Sequence, residues 1–170
     1  GVDARALTRH LRQNGAQPGC IMAGEGIDAN AARGAAEAFP GLAGMDLAKI
    51  VSCTEPYAFT RASWALGDDA APAAPRTPSG DAPHIVAMDF GVKRNILRLL
   101  IDLGCRVTVV PAETSAQAIR ALAPDGLFLS NGPGDPEPCT YAIAAIAELV
   151  DAGLPTFGIC LGHQLLALAS

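Results

Sequence analysis

No apolar run in the sequence approaches the roughly 18 residues that a helix needs to cross a bilayer. Positive charge is scarce as well: 12 Lys and Arg stand against 17 Asp and Glu, for a net charge of -5. With no basic stripe along the chain, nucleic-acid binding is not expected. The opening residues Gly1-Val2-Asp3-Ala4-Arg5 carry two charges and lack the apolar core of a signal peptide, so the expected setting is cytoplasmic. Close cysteine pairs are absent too. Cys20, Cys53, Cys105, Cys139 and Cys160 form no C-x-x-C and have no His pair nearby. This spacing gives no support to a zinc site, and an odd count favours free thiols over a disulfide frame. Taken singly, each reads as a small buried hydrophobe.

What is present is apolar material: half of the 170 residues are hydrophobic and 17% are charged, enough for a packed core. The length suits one domain or two small or incomplete ones. Both ends read as internal to a longer protein, because no Met opens the chain and Ser170 falls inside an apolar helical run without a cap. Residues 67–83, with four prolines and several small residues, read as an extended linker. It separates a mixed segment, 1–66, from a regular one, 84–170. In the first segment Asp3 can cap a helix reaching Gln13, with Leu7 and Leu11 on one face and Gly15 at its end. Cys20-Ile21-Met22-Ala23 is expected as a short strand and 28–38 as an Ala-rich helix ended by Pro40-Gly41. The segment has few bulky apolar residues and reads as the tail of a domain.

The second segment alternates strand and helix. Strands are expected at 84–88, 106–110, 126–130 and 155–159. Helices are expected at 92–103, 115–122, 140–151 and from Leu161 onward, the first with Ile96, Leu99, Leu100 and Leu103 on its apolar side. Apolar strands separated by helices predict an α/β fold, a parallel flavodoxin-like sheet covered on both faces. In such sheets ligands sit beyond the carboxyl ends of the strands.

At one such end stands Phe157-Gly158-Ile159-Cys160-Leu161-Gly162-His163-Gln164. An apolar strand running through G-x-C-x-G into a helix is the nucleophile-elbow pattern with Cys in place of Ser. The turn holds the nucleophile in a strained conformation, and the flanking glycines let strand and helix pass closely. The N–H of Leu161 is aimed where an oxyanion would form, and a helix N-terminus suits an anion. The plain alternative is a thiol buried between packing glycines. Gln164, four residues on, shares the face of Cys160, or is simply a surface amide. Ser130-Asn131-Gly132-Pro133-Gly134-Asp135-Pro136 follows the preceding strand and lies at the same sheet edge, where Gly132 and Gly134 permit close backbone approach to a small ligand. His163 tempts as a general base, yet it sits three residues along the same helix, where packing or hydrogen bonding is the better reading. His10 and His84 look structural. Asp89-Phe90-Gly91 matches the kinase metal-binding tripeptide but reads here as a strand-to-helix turn, with Lys93 and Arg94 as surface or interface charges.

The two motifs together resemble the triad-type (class I) glutamine amidotransferases. Gly1–Arg9, Gly15-Ala16-Gln17, Phe39–Leu42, Met45–Ala48 and Asp89–Leu97 narrow the resemblance to small subunits of carbamoyl phosphate synthetases, over nearly the whole chain except the linker. The resemblance implies that 1–66 is the later part of the subunit's N-terminal domain and 84–170 the first half of its amidotransferase domain. It implies Cys160 as nucleophile, Gly132 and Leu161 as oxyanion-hole donors, and Gly134 and Gln164 as glutamine contacts. It implies a His and a Glu near the C-terminus of such subunits, which nothing in these 170 residues matches, so that the isolated piece is expected to be inactive. The implied partners are glutamine and a large subunit that combines ammonia, ATP and bicarbonate. No metal or cofactor is expected in the small subunit; ATP and metal ions belong to the large one. The readings left open are another class I amidotransferase, of the anthranilate or GMP type, and a reactive-cysteine binding module on a flavodoxin-like sheet.

Overall fold

The computed structural model describes residues 2–63 and 80–170, so residues 67–79 of the expected linker lie outside the described residues. The chain forms two compact units, Gly1–Leu42 and Ala43–Ser170. In the first, α1 (Ala4–Asn14) starts where the Asp3 carboxylate accepts from the N–H of Ala6 at 3.0 Å and stops at Gly15, whose φ of 77° only glycine adopts cheaply. α2 (Ala29–Glu37) starts at Asp28 in the same manner. The strand expected at Cys20–Ala23 does not form: no partner strand among the described residues pairs with it, and Ile21 is 98% exposed. A lone extended segment has no ladder to satisfy its backbone.

The second unit is built on five strands in the order β1-β3-β2-β4-β5. These are β1 (Tyr57–Phe59), β2 (His84–Asp89), β3 (Arg106–Pro111), β4 (Gly126–Leu129) and β5 (Thr156–Gly158). β2 through β5 are mutually parallel, while β1 runs antiparallel to β3 at one edge. Neither β1 nor α3 (Leu47–Val51) was expected from the sequence. Residues 43–63, placed before the linker in the sequence reading, therefore pack with the sheet, because β1 pairs with β3 and Ala48 is fully buried in the sheet's core.

The expected burial of both sheet faces is observed, and the alternation of strand residues explains it. Val86, Met88, Leu127 and Leu129 pack against α5 (Ala116–Ala121), α6 (Thr140–Asp151) and α7 (Leu161–Ala169). Ala87, Val107, Val109 and Phe128 face the other way, with Leu97 and Ile101 of α4 (Arg94–Asp102). The chain moves from β2 to β3 with its helix on one face, then reverses to β4 and β5 with helices on the other. A constant hand of crossover demands that change of face at a change of direction. The apolar side of α4 is not quite the one expected. Leu97 and Ile101 are buried, whereas Leu99 is 52% and Leu103 78% exposed. The helix has apolar residues at six positions between 96 and 103, too many for one stripe, and only the sheet decides which ones it covers.

Candidate active site

The direction of the sheet switches between β2 and β4, and the loops leaving β2, β4 and β5 meet at that carboxyl edge. Cys160 sits between β5 and α7 with φ 53° and ψ -113°, in the left-handed half of the map that a side chain adopts only under strain. Cys160 is exposed and its thiol is free of any disulfide. The glycines around it are required by contact. A Cβ on Gly158 would run into the backbone of Gly162, and one on Gly162 would overlap the carbonyl of Leu129. Helix and strand are then pinned by backbone bonds: Ile159 N–H donates to Leu129 O and Gly162 N–H to Ser130 O, both at 3.0 Å, while Gln164 N–H closes on Cys160 O at 3.0 Å.

The glycine shelf lies beside this elbow. A Cβ on Gly132 would overlap the Phe90 carbonyl and stand 2.8 Å from the Leu161 side chain, so Gly132 and Leu161 are neighbours. Among the described residues no acceptor takes the backbone N–H of either one. Ser130 and Asn131 hold the shelf to the turn after β2. The Ser130 hydroxyl accepts from Phe90 N–H at 2.9 Å, and the Asn131 amide bridges Lys93 N–H and Gly91 O. Asp89 closes the same turn: one oxygen accepts from Gly91 and Val92, the other from Cys53 N–H at 2.9 Å.

Gly134 is turned toward residues 43–53 instead. Its φ is 94°, and a Cβ there would lie 2.8 Å from Met45 O. That segment is tied to the shelf by carboxylates. Asp135 accepts from Gly44 and Glu137 N–H groups, which hold its carboxyl below the ordinary range. Asp46 accepts from Lys49 N–H and from the Tyr141 hydroxyl at 3.2 Å. Burial, followed by the nearby charge of Asp46, raises the Cys139 thiol to about 11; burial and Asp89 do the same to Cys53.

Of the expected site residues, the structure brings together Cys160, Leu161 and Gly132 and places Gln164 exposed on the first turns of α7. His163 is exposed on the same helix. His84 stands at the amino end of β2, the opposite edge of the sheet, with Nε2 2.8 Å from the Thr108 hydroxyl. His10 belongs to the first unit. The organising roles of Asp89, Ser130, Asn131 and Asp46 were missed in the sequence. Asp46 before Leu47-Ala48-Lys49 and Asp89 at a strand end are legible cap and turn signals; the bonds from Asn131 to Gly91 and Lys93 have no local signal. Among the described residues no group of three or more His, Cys, Asp or Glu is placed to hold a metal, and no helix is long and apolar enough to cross a membrane.

A family profile described as Glutamine amidotransferase class-I matches residues 86–170, which contain the shelf, the elbow and α7. The chain belongs to the class-I glutamine amidotransferase family. The match starts inside β2, so this amidotransferase segment comprises the parallel strands and not the edge strand β1. Similarity to individual relatives extends further. Proteins named carbamoyl phosphate synthase small chain are 64% identical over 169 residues in Thioalkalivibrio sulfidiphilus, 60% over 171 in Pseudomonas putida and 59% over 170 in Salmonella typhimurium. These alignments take in 99%, 100% and 99% of this chain but 43%, 44% and 44% of the relatives. The chain thus spans less than half the length of the curated relatives it matches.

Proposed function

We propose that Cys160 is the nucleophile of a glutamine-hydrolysing site in the small subunit of a carbamoyl phosphate synthetase. The observation that carries this reading is the strained, exposed Cys160 at the strand-to-helix elbow, with Leu161 against Gly132. The similarity to small chains along 99% of this chain, not only along 86–170, supports it over an anthranilate- or GMP-type amidotransferase.

In this reading the Cys160 thiolate attacks the carboxamide carbon of glutamine. The N–H groups of Gly132 and Leu161 bind the tetrahedral oxygen. Gln164, and Gly134 through the loop it shapes, hold the substrate. A histidine oriented by a glutamate, which the family resemblance places outside these 170 residues, protonates the departing ammonia. Water then cleaves the glutamyl thioester to glutamate. The ammonia passes to a large subunit that uses ATP and bicarbonate; the small subunit needs no metal or nucleotide of its own and works in the cytoplasm.

The test is Cys160→Ser in the full-length subunit assembled with its large subunit. Glutamine-dependent carbamoyl phosphate synthesis should vanish while ammonia-dependent synthesis continues. Persistent glutamine use would remove Cys160 from the chemistry. Selective modification of Cys160 by a glutamine-analogue electrophile is the expected companion result.

A further inference from the structure

The sheet edge farthest from the elbow gathers a different chemistry. β1 lies four strands from β5, about 19 Å away at ordinary strand spacing. A cavity of about 240 Å³ opens there between β1 and α4. Tyr57, Thr60 and Arg61 line one wall, and Arg94 and Arg98, one helical turn apart, line the other. Three arginine residues thus line a single hollow in a chain of net charge -5. The ion pairs among the described residues are Arg33–Glu37, Lys49–Glu113 and Arg120–Glu148, and none involves these three arginines. Asp89, a carboxylate of the same region, accepts from Cys53, Gly91 and Val92 N–H groups.

We propose that the cavity bounded by Arg61, Arg94 and Arg98 is an anion-binding site for a phosphate dianion, either free or as the terminal phosphoryl group of a small molecule. Three like charges around one hollow repel one another, and a doubly charged guest converts that repulsion to attraction. Guanidinium forks present parallel N–H pairs matched to phosphate oxygens, which lysines at these positions would not do. The Thr60 and Tyr57 hydroxyls add neutral donors. Burial, followed by the charge of Asp89, raises the Tyr57 pKa above its ordinary 10.0. The size of the hollow suits a phosphoryl group with its water. An acidic protein segment would instead call for charges spread along a surface. The site is independent of the function proposed for Cys160.

The experiment is calorimetric titration of the full-length protein with inorganic phosphate at constant ionic strength, with chloride and a nucleoside diphosphate as separate arms. Saturable phosphate binding is expected, with chloride silent. Tighter binding of the diphosphate would identify a phosphoryl compound as the source of the anion, and equal or weaker binding would identify free phosphate. The R94A/R98A double substitution should weaken phosphate about tenfold or more, whereas Arg120→Ala should leave it unchanged. R94K/R98K keeps charge and stem but loses the fork; it should weaken binding by a smaller factor, and it reads the site even if the alanine pair fails to fold. Absence of saturable binding in the parent protein, or binding indifferent to all of these substitutions, overturns the proposal. So does an outcome in which phosphate is ignored while R94K/R98K weakens association with an acidic protein chain.

Discussion

At the scale of single residues, the chemistry proposed for Cys160 depends on glycines that cannot be anything else. Gly158 and Gly162 let β5 and α7 cross at backbone contact, with Cys160 between them at φ 53° and exposed. Gly132 does the corresponding work on the shelf, wedged between the Phe90 carbonyl and Leu161. Gly132→Ala must push the shelf away from the elbow. In the assembled enzyme its glutamine-dependent rate should fall about 10²–10³-fold, the effect of losing one oxyanion donor, while ammonia-dependent synthesis holds. An unchanged glutamine rate would show that the shelf takes no part. The elbow was legible in the sequence because its geometry is local: strand, G-x-C-x-G and helix fall within some ten residues. The contact of Gly132 with Phe90 was not, because it joins residues 42 positions apart through the sheet.

At the scale of elements, α3 and β1 carry the main lesson. Leu47–Val51 is too short for a periodic pattern, and Tyr57–Phe59 offers only three residues of alternation. Helices this short are held by caps and tertiary contacts rather than by propensity. Asp46 supplies both, accepting from Lys49 N–H and from the Tyr141 hydroxyl on α6. Asp46→Ala should therefore destabilise the protein by about 1–2 kcal/mol, read as a lower denaturation midpoint. A midpoint equal to that of the parent would mean that 43–53 is held by other contacts. The regular strands and helices of 84–170 were legible because period and punctuation agreed with the packed outcome. The strand expected at Cys20–Ala23 failed for the opposite reason: local β-propensity has no effect without a neighbour to pair with.

At the scale of the whole molecule, pH reads the buried protons. Cys53 and Cys139 are raised from the ordinary 9.0 to about 11, chiefly by burial, and Tyr141 is raised for the same reason. The folded state holds these protons more tightly than the unfolded chain does. The contribution of the two cysteines to stability is complete below pH 9 and declines as pH rises from 9 toward about 11, and that of Tyr141 begins to decline only above 10.0. Denaturant midpoints measured across that interval should fall steadily; a flat profile would contradict the burial of these groups. Asp135 acts on the acid side with the opposite sign. Its depressed pKa supports the fold above the ordinary carboxyl value of 3.8, and that support is lost as pH falls through its lower, folded-state value.

The sequence by itself determined the alternating α/β order, the elbow at Cys160 and the glycine-rich loop at 130–136. Each of these is written in residues that are neighbours along the chain, where spacing and turn chemistry act directly. Only the tertiary structure decided that 43–63 joins the sheet, that Gly132 lies against Leu161, which face of α4 is covered, and that Arg61, just after β1, and Arg94 and Arg98 of α4 line one cavity. Those outcomes depend on pairing and packing between segments tens of residues apart, where burial selects among local alternatives that the sequence leaves nearly equal in energy.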